Sequence, residues 1–395
     1  MENVMINDNG FLTLGAVSEA PIIPRICMPT ARNFTRRLYQ CGLYEAQDVL
    51  SEIDNVDLIH LDPGATYQLR EKYQKRLIWH DFTKKLAYLN PGLRTVRLNK
   101  EYDLFVAVCQ DFTDLRHINA IKEWKKNCRT SICWIDEFWI NLLPGYKNWM
   151  CLLDQFDHIV FSLHDTVAAV SDLIGRKCHY VPGGVDAIRF NPHPNPPSRV
   201  IDLYSIGRKW EGVHSVLQKL AAQKNFFYIY DTFSASDAQA QDHRQHRELL
   251  ANMAKRSRYF LVGPAKMDMV EESRDQVEIG YRYYEGAAAG AILIGQVPHC
   301  TPFHEMFSWP DAVIEIKTNG SDVVEVLSCL SAQPERLHEI SRRNAMEALL
   351  RLDWVYRWKQ ILEIAGLKPT PAMDTREKRL KQLAGYAKFD GNIIQ

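Results

Sequence analysis

Short apolar runs alternate with amphipathic segments through the first half of the chain. "PRICMPT" (24–30), "VDLIHLD" (56–62), "YDLFVAVCQ" (102–110), "TSICWID" (130–136), "HIVFSL" (158–163) and "CHYVPG" (178–183) have the length and the β-branched or aromatic content of buried strands. Stretches with helical spacing lie between several of them, including Arg36 to Ile53 and Asp165 to Ile174. Strands separated by helices predict a parallel sheet covered on both faces.

"FNPHPNPPSR" (190–199) breaks this rhythm. Pro192, Pro194, Pro196 and Pro197 fix φ and remove amide donors, which rules out helix and disfavours a central strand. The segment reads as a stiff extended linker. Alternation then resumes with "VIDLYSIG" (200–207), a helix from about Val213, "FFYIYD" (226–231), a polar helix through Leu250, "RYFLVG" (258–263) and "AVIEIK" (312–317). The expectation is an α/β chain with a Rossmann-like domain over 1–190, a Pro-rich linker at 191–199, a second Rossmann-like domain over 200–365 and a tail at 366–395. Leu380, Leu383, Ala384 and Ala387 share one face of a basic helix in that tail. This face is expected to pack back on the first domain, with a weak peripheral contact to anionic lipid as the alternative.

"EIGYRYYEGAAAGAILIG" (278–295) gathers charge at the start of a helix and strips bulk from its end. A helix beginning near Gly280 puts Glu285 in its second turn, and Gly290 supplies the left-handed stop. Ala287, Ala288 and Ala289 let the helix lie close on a sheet, which carries its N-terminus to the rim of a crevice. Amide N–H groups and the helix dipole favour an anion there, Arg282 adds charge, and Glu285 can accept from sugar hydroxyls. The plain alternative is a solvated Arg-x-x-Glu pair worth about 0.2–0.5 kcal/mol.

At 395 residues the chain exceeds one ordinary core and accommodates two domains. With 46% hydrophobic and 24% charged residues it has a globular composition. Lys+Arg 48 balances Asp+Glu 48, so there is no basic excess to release counterions, which argues against a nucleic-acid partner. The nine cysteines include no Cys-x-x-Cys and several lie in apolar runs, as buried reduced thiols do. The N-terminus lacks a basic start and long apolar core, and no stretch has the length of a membrane span, so a cytoplasmic location is expected. No Asp-x-Asp points to a metal, and His243 and His246 in "DHRQHREL" read as a solvated helix face. Phosphate-loop and dinucleotide fingerprints are missing, so ATPase and dehydrogenase readings lose ground.

Two further segments give the chemistry a direction. "HYVPGGVDAIRFNP" (179–192) resembles the Pro-x-Gly-Val-Asp-x-x-x-Phe-x-Pro segment that closes the first domain in GT-B glycosyltransferases of the glycosyltransferase 4 type. Pro182, Gly184, Val185, Asp186, Phe190 and Pro192 match it in order. "LYSIGRKWEGVHSVLQKL" (203–220) resembles the strand and Gly-Arg loop that opens their nucleotide-binding domain, with Gly207 and Arg208 in place. Residues 278–295 are similar to their Glu-rich donor motif, in the Arg-x-(Tyr/Phe)-Glu form of the CgeB-like branch. Residues 100–365 carry the resemblance, most specifically 179–295. Two departures stand out. Glu285 fits the second of two family glutamates, but the first falls on Val277, with Glu278 one place late. The expected Lys-Gly pair reads Glu211-Gly212, with Lys209 as the nearest substitute.

The resemblance implies a GT-B fold, two Rossmann-like domains facing across a cleft. It implies transfer of a hexose-type sugar from a nucleotide-sugar donor, a UDP-sugar first, with retention and without metal or cofactor. The acceptor (a glycan, natural product, lipid or protein) is left open. Carried onto this sequence, donor contacts fall on Gly183, Gly184, Gly207, Arg208, Lys209, Arg282, Tyr284, Glu285 and Gln296, with Arg208 on the diphosphate and Glu285 on the ribose. Glu278 either reaches the transferred sugar or decorates a helix start. The loop 295–298 either offers amides to the donor or is a plain turn. In "CWIDEFW" (133–139) Asp136 ends a strand and is the candidate base of an inverting alternative, while Trp134, Phe138 and Trp139 fit a core better than a sugar face. A catalytically silent nucleotide-sugar binding protein is the remaining alternative, because the departures fall on sugar and phosphate contacts.

Overall fold

The structure is a computed structural model describing residues 4–6, 12–14, 24–223, 225–232 and 238–389. Two parallel sheets carry it. In the first, β1 (Ile26–Thr30), β2 (Val56–His60), β3 (Tyr102–Cys109), β4 (Cys128–Ile135), β5 (His158–Phe161) and β6 (Cys178–Tyr180) lie in the order β6-β5-β4-β3-β1-β2. In the second, β7 (Ile201–Ser205), β8 (Tyr228–Tyr230), β9 (Ser257–Val262), β10 (Ile292–Gly295) and β11 (Ile314–Glu315) lie in the order β8-β7-β9-β10-β11. Each sheet flanks its first strand with its second and third, so a crevice opens at the carboxyl ends where the winding reverses.

Among the described residues, the α-helices of eight residues or more are α1 (Cys41–Ile53), α2 (Tyr67–Ile78), α3 (His164–Ile174), α4 (Glu211–Ala222), α5 (His243–Lys255), α6 (Tyr281–Ala288), α7 (Val323–Ser331), α8 (Pro334–Arg351), α9 (Trp354–Ile364) and α10 (Pro371–Phe389). The expected helix from Arg36 begins later, as a 3-10 turn at Leu38–Gln40 followed by α1. The strand expected to reach residue 183 stops at Tyr180, before Pro182, which has no amide to give the ladder.

Both faces of each sheet are apolar. Leu104, Val106, Ile132 and Trp134 join one core, while Phe105, Ala107, Cys133 and Ile135 join another on the opposite face. That is why these strands read as continuous runs. Tyr204, Phe260, Val262 and Leu293 of the second sheet belong to the same cluster as Leu104 and Trp134, so the two lobes share a continuous core. Trp358 of α9 is part of it: its ring meets Trp134 edge-on at 5.3 Å and its Nε1 donates to Ala46 O at 2.8 Å.

The chain crosses between the lobes after Asp186 and returns at Asp353. These crossings lie side by side, for Val185 N donates to Leu352 O and Trp354 N donates to Val185 O, both at 3.1 Å. Arg376 of α10 bridges them, with Nη2 2.6 Å from Asp186 Oδ1 and Nε 2.8 Å from Asp353 Oδ1. The tail face of Leu380, Leu383, Ala384 and Ala387 is buried. It runs chiefly along α8, while Thr370 donates to Ile53 O of α1, so the tail packs on both lobes and not on the first alone. All nine cysteines are free, five of them buried and Cys329 exposed. No helix among the described residues is long and apolar enough to cross a membrane.

Candidate functional site

The carboxyl ends of the two sheets face each other across a cleft holding a cavity of about 440 Å³. Gln110 after β3, Asp136 and Glu137 after β4, Ser162 after β5 and Gly183 after β6 form one wall. Gly207 and Arg208 after β7, the turn from Gly263 after β9, and Glu278 to Glu285 form the other.

Close packing aims α6 into this cleft. A Cβ on Gly286 would lie 2.5 Å from Leu293 Cδ2 and 2.9 Å from Phe260 Cδ1, so the helix seats on β9 and β10 only with glycine there. Gly290 ends the segment at φ +63°, as its position predicts. At the other end Gly280 is extended and no side chain caps the helix. The N-terminus therefore opens on the cavity beside Gly207, where a Cβ would lie 3.7 Å from Arg282 Nη2.

Glu285 is buried, with Arg247 on Oε1 and Arg282 on Oε2. Burial pushes its carboxyl up, but Arg282 and Arg247 outweigh this and hold it below the usual range. Arg247 is itself 3% exposed and donates from Nε to Glu45 Oε2 at 2.7 Å and from Nη2 to Glu45 Oε1 at 3.0 Å. One guanidinium thus joins α5, α6 and the first lobe's α1. The Arg282–Glu285 pair is no solvated surface pair. Each Glu285 oxygen accepts one arginine hydrogen bond and keeps a second lone pair for a further donor.

Arg208 sits at the cleft mouth, its Nη1 2.6 Å from Asp268 Oδ1, both groups part-exposed. Arg282 and Tyr284 also line the cavity. Three expected donor residues do not. Lys209 turns its Nζ to Asp231 Oδ1 at 2.7 Å, because Gly207 N already draws that carboxylate to the loop. Gln296 offers its carbonyl to Tyr283 Oη, which anchors the loop to α6. Gly184 is set against Trp354, where a Cβ would meet the ring at 2.9 Å, a packing role.

Asp136 is buried, accepting from Tyr281 Oη at 2.7 Å and Gln110 Nε2 at 3.3 Å. Burial dominates and raises its pKa to about 7. Glu278 accepts from His164 N at 3.1 Å, Asp165 N at 3.3 Å and Gln276 Nε2 at 2.7 Å. It caps α3 of the opposite lobe, whose own N-cap, Leu163, has no side chain to offer. Glu278 is thus a helix-start group, though for a helix across the cleft. Trp134 and Phe138 are core, while Trp139 is buried yet borders the cavity.

The solvated face expected for "DHRQHREL" is wrong. His243 Nε2 lies 2.8 Å from Asp48 Oδ2, His246 lines the cavity, and Arg247 is the buried bridge described above. Burial, then Arg282 and Arg247, depress His246 to about 4, so it is neutral at neutral pH. His243, His246, Arg247 and Leu250 recur at i, i+3, i+4 and i+7, the spacing of one buried face. That signal was in the sequence.

No protein-family model and no curated protein matches the chain. Solved structures do. An alpha-glucosyltransferase in complex with UDP and a 13-mer DNA containing a HMU base aligns with a TM-score of 0.51 at 12% identity, over 87% of this chain and 99% of that one. Anabaena HepE in complex with UDP-glucose aligns with a TM-score of 0.50 at 12% identity, over 86% of this chain and 99% of that one. The fold is accordingly α/β GT-B, two Rossmann-like domains facing across a cleft. With DNA bound in one of these structures, the expectation of no nucleic-acid partner gains no support from them.

Proposed function

We propose that the chain is a glycosyltransferase that moves a sugar from a nucleoside-diphosphate donor, a UDP-sugar first, to an acceptor held against the first lobe. The observation that carries this is the convergence of Arg208, Arg282 and the uncapped start of α6 on one cavity between the sheets. Such a site offers charge-assisted donors to a leaving diphosphate. The cleft continues past Leu38, Ile206 and His246 into a second cavity of about 520 Å³, with room for a nucleobase beside Ile229 and Tyr230. Solved structures of this fold hold UDP or UDP-glucose, which supports the same reading.

In the reaction the acceptor oxygen bonds to the anomeric carbon while the bond from that carbon to the diphosphate oxygen breaks and its electron pair leaves with UDP. By resemblance to the glycosyltransferase 4 type we favour retention, with the departing phosphate oxygen taking the acceptor proton. One observation favours a second reading: a carboxyl near pKa 7 on the acceptor wall suits Asp136 as the base of an inverting transfer. The test is incubation with UDP-glucose and a pool of hydroxyl acceptors, read by the anomeric coupling of the product. Donor binding without turnover on any acceptor would overturn the enzyme reading.

A further inference from the structure

Leu69, Tyr73 and Leu77 recur every four residues on α2, and all three point to solvent at 60%, 54% and 40% exposure. Trp79 and Leu89 follow with about half their surfaces free, and Phe82 stands wholly in solvent. The stripe is not a frayed end. The opposite face of α2 is anchored to the lobe, with Glu71 on Arg116 at 2.7 Å and Ile78 buried. Contiguous apolar surface of this kind on a folded chain marks an interaction site.

Charge identifies the partner. Arg70, Lys72, Arg76, Lys84 and Lys85 are exposed among these apolar side chains, whereas Asp81 is the one exposed acid between residues 67 and 89. Interfaces between protein copies deplete lysine at their centres, and a leucine stripe has no use on a phosphate backbone. Apolar and aromatic side chains interleaved with lysine and arginine match the boundary of a bilayer, where rings enter below the headgroups and cations stay among them. We propose that residues 69–89 form a docking surface for an anionic lipid bilayer. The helix start at Tyr67 lies beside His117, its Oη 3.3 Å from Nε2, so the surface belongs to the acceptor-side lobe.

The test is co-sedimentation of the full chain with phosphatidylcholine vesicles, with and without about 30 mol% phosphatidylglycerol, at low and high salt. Wild type should pellet with the anionic vesicles at low salt and be released by high salt. The double variants Leu77→Glu/Phe82→Glu and Lys84→Glu/Lys85→Glu should each weaken partitioning by about tenfold or more. All replaced side chains are exposed, so unchanged melting curves are expected. Absence of wild-type pelleting with anionic vesicles, or full retention by Leu77→Glu/Phe82→Glu, would sink the proposal. So would a concentration-dependent dimer, or oligonucleotide binding, that the same variants abolish while vesicles are never bound.

Discussion

Tyr281, the first residue of α6, donates a 2.7 Å hydrogen bond across the cleft to Asp136 at the end of β4. A phenol of the second lobe therefore reads the charge of a carboxyl on the first. The bond favours the ionised acid, while burial of Asp136 opposes ionisation and prevails.

The sign of the pH effect follows. Asp136 has a folded pKa of about 7, above its ordinary value of 3.8, so the stability of the neutral acid is intact below the lower value and lost as pH rises through 7. Asp136→Asn is expected to be more stable than wild type above pH 7 by about 1–2 kcal/mol, and no more stable near pH 4. Denaturant melts at the two pH values check this. Tyr281→Phe should lower stability most on the alkaline side.

Arg247 is a buried charge tied to carboxylates of both lobes. Arg247→Ala strips buried Glu45 of both its guanidinium bonds and leaves Glu285 with Arg282 alone, and a loss of about 3–5 kcal/mol is expected in equilibrium unfolding. Glu285→Ala takes the carboxylate from Arg282 and leaves Arg247 with Glu45 alone. Donor binding is better probed with Glu285→Gln, which preserves shape and should weaken UDP affinity while remaining folded at ambient temperature.

Arg208 should behave in the opposite manner. Its pairing with Asp268 is part-exposed, so Arg208→Ala should alter stability by less than about 1 kcal/mol. Titration calorimetry with UDP should nevertheless show a loss of about tenfold or more. Unchanged UDP affinity would remove Arg208 from the site.

Gly286→Ala adds a methyl group where Leu293 and Phe260 leave no room. Overpacking of about 1–3 kcal/mol is expected, and α6 must lift from the sheet to relieve it. UDP affinity should fall with stability, although residue 286 touches no ligand.

The segments that line the cleft cavity of the second lobe are local, and local signals survive in sequence. Gly207-Arg208 and the run from Gly280 to Gly290 each span only a few residues, with glycines whose backbone or packing demands are visible at once. Glu45 and Arg247 were not legible in that way, being 202 positions apart and meeting only where the two lobes touch. Lys209 misled for a related reason: adjacency to Arg208 suggested a phosphate partner, whereas Asp231, on a separate strand end, claims it. Glu278 showed its charge but not its destination, since the amides it caps belong to α3.

The paired crossings at Val185–Asp353, pinned by Arg376, fix how the two lobes are set against each other. Two parallel chain segments joined side by side, over a core that the lobes share, act as a clasp that resists torsion between them. Removing α10 would draw the pin, so a protein shortened at residue 366 should keep its lobes yet lose their alignment.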